Sequence, residues 1–285
     1  MSRPQIRLLR SLEEFRACEH IQKAVWGNVG VGSEVLAVTQ KYGGVVLGAV
    51  VGGKVVGCLY AFLARRHEAP IHWSHIMAVE PAHRDQGLGF RMKLAHRQLA
   101  LERGIKSICW TYDPLQSRNA TLNIARLGAR VEEYIPNCYG RFPSAIERGL
   151  PSDRFVVNWR IASLAVARRL RDGIRLHRFR LASLPRANET RLNARGFLEN
   201  TRICLRLHAR RVLVEIPWNT DILRAEDLRL ARRWRVETRK IFQHYFAAGY
   251  HVEDFLSPSA GTDGRCFYVL RREGSPPPAR GTRGL

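Results

Sequence analysis

Long hydrophobic runs are absent from this sequence of 285 residues. A helix needs about 20 consecutive, mostly apolar residues to cross a bilayer, and no stretch of the chain reaches that length. The N-terminus also lacks the apolar core of a secretory signal. These absences argue against a membrane-spanning or exported protein, so we expect a cytoplasmic one.

Cysteines are few, and their spacing forms no Cys-x-x-Cys pair. Several of them lie in apolar, strand-like runs, which is typical of buried thiols in a reducing compartment. The spacing therefore argues against a disulfide framework and against a zinc site, and we expect no bound metal. The six positions are Cys18, Cys58, Cys109, Cys138, Cys204 and Cys266.

Acidic residues are scarce: 25 stand against 47 basic ones, which gives a formal net charge of +22. Such a charge attracts phosphate-rich ligands, RNA or acidic membrane surfaces. The arginines are spread along the chain and are not interleaved with a recognisable nucleic-acid module. A solvated basic surface is the simpler interpretation, and a nucleic-acid partner stays open without being favoured.

Glycines are placed most informatively between His83 and Phe90. This stretch follows an apolar run closed by Pro81, and after it apolar residues recur at helical spacing. The order predicts a strand, a tight loop and a helix. Gly87 and Gly89 let the backbone turn closely, and the N–H groups and dipole at the helix start favour an anion. A pyrophosphate is the natural ligand for such a loop.

The pattern Arg-x-x-Gly-x-Gly over residues 84–89 resembles the acyl-CoA site of the GNAT N-acetyltransferase superfamily. The resemblance extends over about residues 5–160, and in length the chain is similar to a poorly characterised bacterial subgroup of predicted acetyltransferases. A Rossmann loop fits less well, because Met92 stands where its third glycine belongs. A P-loop does not fit, because no Gly-Lys-Ser/Thr follows.

The resemblance implies an α/β protein with the GNAT fold, a mixed and mostly antiparallel central sheet flanked by helices, over residues 1–161. A smaller α/β module is expected over 201–273, where helix, glycine, strand, turn and strand resemble the closing part of a GNAT domain. This module is interpreted as a degenerate half-copy without a second CoA site. Residues 162–200 are expected to form a basic helix and a linker (183–196), or else a phosphate-contacting arm. Residues 274–285 are rich in Pro, Gly and Arg, so disorder is expected there.

In the GNAT pattern the pantetheine arm of CoA binds where two neighbouring parallel strands splay apart. The resemblance implies that the amide of Met77 faces the thioester carbonyl, and that the backbone at Ala78 and Val79 binds the pantetheine. The predicted pyrophosphate contacts are Arg84 and the backbone of Gln86, Gly87, Leu88, Gly89 and Phe90, with Arg91 as an added charge. On the following short helix, Asn119 and Asn123 are predicted to contact CoA or to cap the turn.

Acyl transfer to an amine needs a group that removes the proton of the amine. By strand alternation Trp73, His75 and Met77 share one face, which makes His75 the best-placed base. A hydrogen-bonded structural histidine is an equally good interpretation.

The family's usual proton donor to the thiolate is a tyrosine four residues before the glycine that closes the short helix. Here that position is Ile124, which departs from the pattern. Either Tyr112 or Tyr139 donates the proton instead, or the thiolate leaves unassisted.

These features together predict an N-acyltransferase that uses acyl-CoA, most simply acetyl-CoA, and a small-molecule or peptide amine as acceptor. Direct attack in a ternary complex is expected, because no Cys-His or Ser-His arrangement indicates a nucleophile. Two alternatives stay open: a non-catalytic acyl-CoA-binding or regulatory module, and an RNA-associated basic protein. The sequence gives no oligomeric state.

Overall fold

The computed structural model describes residues 3–27, 30–140, 149–173, 184–258 and 265–273. Its strands are β1 (Gln5–Leu8), β2 (Val45–Val51), β3 (Lys54–Arg66), β4 (Ala69–Val79), β5 (Ile108–Tyr112), β6 (Arg130–Ile135), β7 (Arg154–Trp159), β8 (Asn188–Leu192), β9 (Leu198–Ile203), β10 (Arg211–Ile216), β11 (Tyr250–Leu256) and β12 (Cys266–Arg272). Its helices are α1 (Leu12–Trp26), α2 (Ser33–Lys41), α3 (Leu88–Glu102), α4 (Ser117–Ala120), α5 (Leu164–Asp172), α6 (Thr220–Glu226) and α7 (Leu228–Ala247). A π-helical turn, Thr121–Arg126, continues α4.

One mixed sheet joins ten of these strands in the order β1-β2-β3-β4-β5-β7-β6-β11-β12-β10. Among the described strands, β4 and β5 form the one parallel pair, and the other neighbours are antiparallel. Strands β8 and β9 form a separate hairpin. The predicted fold class, an α/β protein with a mostly antiparallel central sheet flanked by helices, is confirmed.

Local sequence explains where the first helices begin and end. Ser11 accepts a hydrogen bond from the Glu14 amide while the Glu14 carboxylate accepts one from the Ser11 amide, which is a complete capping box. Helix α3 begins after Gly87, whose φ of +73° lies in the left-handed region that favours glycine. The predicted hairpin of β2 and β3 turns at Gly52 and Gly53.

Helices cover the two faces of the sheet differently. On one face α1 and α2 pack their apolar residues on β2, β3 and β4. On the other face α3 covers β2 and β3, and α7 covers β5, β7, β6 and β12. On the first face, α1 and α2 therefore do not extend over β5 and the strands beyond it. The boundary between β4 and β5 lies at the edge of the surface that these two helices cover.

The C-terminal strands continue the same sheet. Strand β11 pairs with β6 through Val252 and Val131, and one hydrophobic core runs from β5 to β12 under α7. The basic helix expected after residue 161 is present as α5. The linker expected over 183–196 is wrong in part, because β8 lies within it. Four of its five residues are polar or charged, which hides the alternation, and its Asn188 is buried and bonded to Glu215 on β10. Residues 274–285 lie outside the described part of the chain.

The C-terminal strands also repeat an arrangement found earlier in the chain. Strands β10, β12 and β11 are antiparallel neighbours in the same relative order as β5, β7 and β6. Each set has a β-bulge at the corresponding position, between Val131 and Glu133 in β6 and between Val252 and Asp254 in β11. The two bulged segments read GARVEEYI (128–135) and GYHVEDFL (249–256). These correspondences support the half-copy interpretation, which stays a prediction.

A buried ion pair fixes α7 against the end of β5. The guanidinium of Arg235 is 1 % exposed and makes two hydrogen bonds to the Asp113 carboxylate, one of them 2.7 Å long. Burial alone would raise the pKa of Asp113, but the charge and hydrogen bonds of Arg235 leave it below the ordinary value.

Replacing Arg235 with Leu leaves the Asp113 carboxylate buried without its partner, so we expect a loss of about 3–5 kcal/mol of unfolding free energy. Arg233→Leu on the same helix is the matched control. Arg233 is half exposed and pairs with Glu237 at 2.9 Å, and its loss should cost less than about 1 kcal/mol. Urea unfolding of both variants at neutral pH measures the difference, and equal losses would contradict the role given to the buried pair.

Two histidine rings stack between β4 and α3: His72 belongs to the strand and His96 to the helix. His72 Nδ1 is 3.0 Å from His96 Nε2, and both residues are fully buried. Burial lowers the pKa of His72 to about 4 and that of His96 well below its ordinary value. Both rings are therefore neutral in the folded protein at pH 7.

In the unfolded chain these histidines take up protons near pH 6.5, whereas in the folded chain they stay neutral to lower pH. The free energy of unfolding should therefore fall as the pH drops below 6.5. For His72 alone the loss between pH 7.5 and pH 5 is about 2 kcal/mol. We expect His96→Gln to weaken this pH dependence and the exposed His20→Gln to leave it unchanged. Urea unfolding at the two pH values is the measurement.

Candidate active site

Strands β4 and β5 pair only at their beginnings. The paired positions are His72 with Ile108 and Trp73 with Cys109, and beyond them no pairing joins the two strands in the described chain. Since β4 continues to Val79, a split opens between the strands. Backbone groups on the β5 side of β4 are therefore available to a ligand within this split.

The N–H groups of Met77 and Val79 point into the split. Glu80 N donates to Val56 O on β3 at 2.9 Å. Successive residues of a strand direct their backbone groups to opposite sides, so the Ala78 amide also points to β3 and the amides of Met77 and Val79 point away from it. The Val79 carbonyl agrees with this direction, because it accepts a hydrogen bond from Arg84 Nε at 3.2 Å, from the loop.

The loop after β4 leaves a series of backbone donors without partners. Arg84 N donates to Pro81 O at 3.3 Å, and the helical pattern of α3 begins with Arg91 N to Gly87 O at 3.0 Å. Within the described residues, the amides from Asp85 to Phe90 have no backbone or side-chain acceptor. The start of α3 therefore presents consecutive N–H groups and the positive end of the helix dipole, which is a site for an anion.

The two loop glycines are needed for different structural reasons. Gly87 needs its left-handed backbone, and a Cβ built there would meet nothing within 4 Å. Gly89 brings α3 close to β4, because a Cβ there would lie 3.4 Å from Met77 Cε and 3.9 Å from a Leu122 methyl group. The loop is thus tied in space to Met77, the strand residue whose amide points into the split.

Residues 12–128 match the family described as "Acetyltransferase (GNAT) family". This span runs from α1 to the end of the π-helical turn, so it contains the split and the loop. These residues form a GNAT acetyltransferase domain.

Solved acetyltransferase structures resemble part of this chain. Aminoglycoside 6'-acetyltransferase type Ii is 15% identical over 56% of this chain and 98% of that chain, with a TM-score of 0.45. The putative acetyltransferase yncA from Salmonella typhimurium, solved with its cofactor acetyl-CoA, is 19% identical over 57% of this chain and 96% of that one, with a TM-score of 0.45. Ribosomal-protein-S18-alanine N-acetyltransferase from Escherichia coli is 16% identical over 56% and 96%, again with a TM-score of 0.45. Among curated proteins no match was found.

A β-bulge in the GNAT domain corrects the expected side-chain directions. Tyr60 pairs with Ile76 but Ala61 pairs with Ser74, so His75 is an extra residue in β4. A bulge of this kind breaks the alternation of faces. His75 lies against the rings of Tyr60 and Phe62 on the α1–α2 face, whereas Met77 packs on the α3 face.

The prediction that Trp73, His75 and Met77 share one face is therefore wrong for Met77. His75 nevertheless lies at the split and is exposed. Partial burial lowers the pKa of His75 below its ordinary value. The imidazole is thus largely neutral at pH 7 and able to accept a proton.

Tyr112 is placed where it cannot take part in acyl transfer. It is 5% exposed, packs in the core under α7, and its hydroxyl lies 3.2 Å from the Tyr268 hydroxyl. Burial raises the pKa of Tyr112 well above its ordinary value. The expectation that Tyr112 protonates the thiolate is wrong, because its hydroxyl is buried in the core and held against the Tyr268 hydroxyl.

Tyr139 lies on the α1–α2 face instead. Its hydroxyl is 2.9 Å from Thr111 Oγ1, two residues beyond the last β5 residue that pairs with β4. It is 41% exposed, so a ligand can reach it from solvent. Ile124, the family's tyrosine position, is fully buried.

The remaining predicted residues surround the loop. Arg84 and Gln86 are exposed, and Asn119 is exposed on the first turn of α4. Asn123 is 4% exposed in the π-helical turn. Arg91 is engaged elsewhere, since its guanidinium donates to Pro4 O at 2.6 Å.

Two features of the site escaped the sequence analysis. Asp85 lies in the loop and pairs with Arg118 at the start of α4, which ties the loop to that helix. Lys93, one turn beyond Gly89, is buried at the narrow end of the split. A lysine among apolar helix positions was the available signal.

Residues after the GNAT domain hold the turn that joins β5 to α4. Three of its groups bond to them directly: the Pro114 carbonyl accepts from the Tyr268 hydroxyl (2.8 Å), the Leu115 carbonyl accepts from the Thr220 hydroxyl (2.7 Å), and the side-chain amide of Gln116 donates to the Asp221 carboxylate (3.1 Å). The C-terminal strands and helices thereby fix the α4 side of the site.

No group of three or more His, Cys, Asp or Glu side chains in the described part of the chain is arranged to hold a metal ion. No helix there combines the length and apolar character that a membrane crossing requires.

Proposed function

We propose that this chain is an N-acyltransferase that transfers the acyl group of acyl-CoA, most simply acetyl-CoA, to an amine. The observation that carries the proposal is the series of unpartnered amides from Asp85 to Phe90 beside the split between β4 and β5. Consecutive N–H donors at a helix start suit a diphosphate. An extended chain leaving that diphosphate enters the split, where further amides are available.

Each part of acyl-CoA has proposed partners in the chain. The backbone of Gln86, Gly87, Leu88, Gly89 and Phe90 binds the pyrophosphate, with Arg84 beside it. Val79 and Ala78 contribute the strand backbone along the pantetheine, and Asn119 and Asn123 contact it from α4. The Met77 amide donates to the thioester oxygen, where negative charge develops in the transition state.

His75 is proposed as the base. An amine is mostly protonated at neutral pH and must lose a proton to attack the thioester carbonyl. His75 is exposed at the split, and its lowered pKa keeps the ring unprotonated. The amine then attacks directly within a ternary complex, on the face that α1 and α2 leave accessible.

The acceptor is proposed to be a small-molecule or peptide amine. A non-catalytic acyl-CoA-binding module is the second candidate, and the buried Ile124 in place of the family's tyrosine favours it. Binding of acetyl-CoA without turnover of any amine in a panel of both acceptor classes would select this second candidate.

Replacing Gly87 with Val tests the diphosphate site. Gly104, at the end of α3, supplies a matched control because it has the same φ of +73° and equally open surroundings. Both substitutions strain a left-handed backbone and should cost about 1–2 kcal/mol of stability. Only Gly87→Val should abolish the rise in melting temperature that acetyl-CoA gives the wild type, because bound ligand stabilises by mass action.

A thermal-shift series with acetyl-CoA and longer acyl-CoAs measures this effect. If the wild type shows no shift at concentrations up to the millimolar range, the acyl-CoA site is refuted. If Gly87→Val and Gly104→Val lose the shift equally, the loop assignment is refuted.

Replacing His75 with Gln tests the base. We expect kcat to fall by roughly a hundredfold, within the usual range for a general base, and the acidic limb of the pH–rate profile to disappear. His67→Asn, in the exposed turn between β3 and β4, is the control and should change neither. A His75→Gln enzyme with the wild-type profile would show that another group or a water chain removes the proton.

A further inference from the structure

Lys93 occupies the point where β4 and β5 separate. The last paired residues are Trp73 and Cys109, so the first residues of the split are Ser74 on β4 and Trp110 on β5. Lys93 Nζ touches both of them: it lies 3.0 Å from Ser74 Oγ and 3.6 Å from the centre of the Trp110 ring. One α3 side chain thus spans the narrow end of the split on the α3 face.

No carboxylate balances this ammonium group. Lys93 is 2% exposed, and it forms no ion pair with any residue in the described ranges. His96 on its own helix interacts with Lys93 and is neutral, and so is His72 on β4, while Arg103 at the end of α3 acts on these two histidines. The residues of β2 and β3 that pack on α3 are apolar. A buried, unpaired charge is costly, and hydrophobic residues would fill this position at lower cost.

On this face of the sheet, the reaction also lacks a tyrosine that could donate the proton. The family's tyrosine position is Ile124, and Tyr112 is held in the core with Tyr268. Ile124, Trp110 and Tyr112 belong to one core cluster on the α3–α7 face, which is the face on which Lys93 lies. An ammonium group beside Trp110 therefore lies on the side of the sheet from which the missing tyrosine hydroxyl would act.

We propose that the Lys93 ammonium, acting through the Ser74 hydroxyl, protonates the CoA thiolate as it leaves. The inference rests on the proposed acyl transfer and assigns the acid of that reaction. Ser74 is the catalytic residue in contact with sulfur, and Lys93 is the residue that supplies its proton.

The proton and electron balance is complete. The amine nitrogen forms a bond to the thioester carbon, the carbon–sulfur bond breaks, and its electron pair stays on sulfur. The Ser74 O–H gives its proton to sulfur while Lys93 N–H gives one to Ser74 Oγ. Lys93 is left neutral and regains a proton from water, and the proton taken from the amine by His75 returns to water.

The acidities agree with this direction of transfer. Burial lowers the pKa of Lys93 to about 7. A simple thiol has a pKa of about 8.5, so transfer from this ammonium to a thiolate is favourable by roughly one and a half pK units. A solvated lysine, at about 10.4, would be too weak an acid for the same task.

The test compares two acyl donors, acetyl-CoA and its analogue with selenium in place of the thioester sulfur. The selenolate is a far weaker base than the thiolate and leaves without a proton. For Lys93→Met, which conserves the bulk of the side chain, we expect kcat with acetyl-CoA to fall by roughly a hundredfold at an unchanged KM, and kcat with the selenium donor to fall by less than about threefold. Ser74→Ala should give the same ratio. Lys54→Met, in the exposed β2–β3 turn, should behave as wild type with both donors.

The pH–rate profile supplies a second readout. Wild-type kcat with acetyl-CoA should fall on the alkaline side as Lys93 loses its proton, and this limb should be missing from Lys93→Met. A purely structural lysine would move neither the donor ratio nor the limb.

Unchanged activity of both variants with acetyl-CoA overturns the inference, and so does an equal loss with both donors. If Lys93→Met does not fold, the donor ratio of Ser74→Ala decides the question. A wild type that binds acetyl-CoA but acylates no amine refutes the proposed function itself, and that result is reached before any variant is compared.

Discussion

The end of pairing between β4 and β5 is the feature on which the rest of the site depends. Parallel strands satisfy each other's backbone groups only while they stay adjacent, and here they separate after Trp73 and Cys109. The unpaired amides of β4 then resemble the unpaired amides at the start of α3: both are donors that water or a ligand must satisfy. A ligand with a diphosphate and an amide-containing arm meets both needs at once. The bulge at His75 lies beside this split and turns one side chain toward the α1–α2 face.

Hydrogen bonds from the C-terminal half stabilise this geometry. Helix α4 and the π-helical turn after it are short, so they form few backbone hydrogen bonds and have little stability on their own. Bonds from Tyr268, Thr220 and Arg235 fix the turn before it at three successive backbone or carboxylate groups. The α4 side of the split is therefore held by residues more than a hundred positions away in the chain. The segment that carries the family motif and the segment that stabilises it belong to one sheet.

The sequence predicted what is local. The capping box of α1, the β2–β3 hairpin and the loop before α3 follow from residue types a few positions apart, and all are present. It did not predict what depends on distant partners. Tyr112 was a plausible acid from its place on β5, but Tyr268 and α7 bury it. The faces of β4 were misassigned because a bulge is set by the register with β3, which alternation alone does not reveal. Strand β8 was missed because its buried asparagine is explained by distant partners, Asn200 on β9 and Glu215 on β10.

The positive charge was a poor guide for a related reason. Many arginines are used inside the fold: Arg169 binds Asp254 and the Ala125 carbonyl, Arg239 binds Asp153, and Arg265 binds Glu215. Guanidinium groups suit this role because one planar fork satisfies several oxygens at once. Counting such residues as a nucleic-acid footprint therefore overstates the charge that a ligand meets. Lys93 shows the opposite case, because it is enclosed where two strands part and no residue in the described part of the chain forms an ion pair with it.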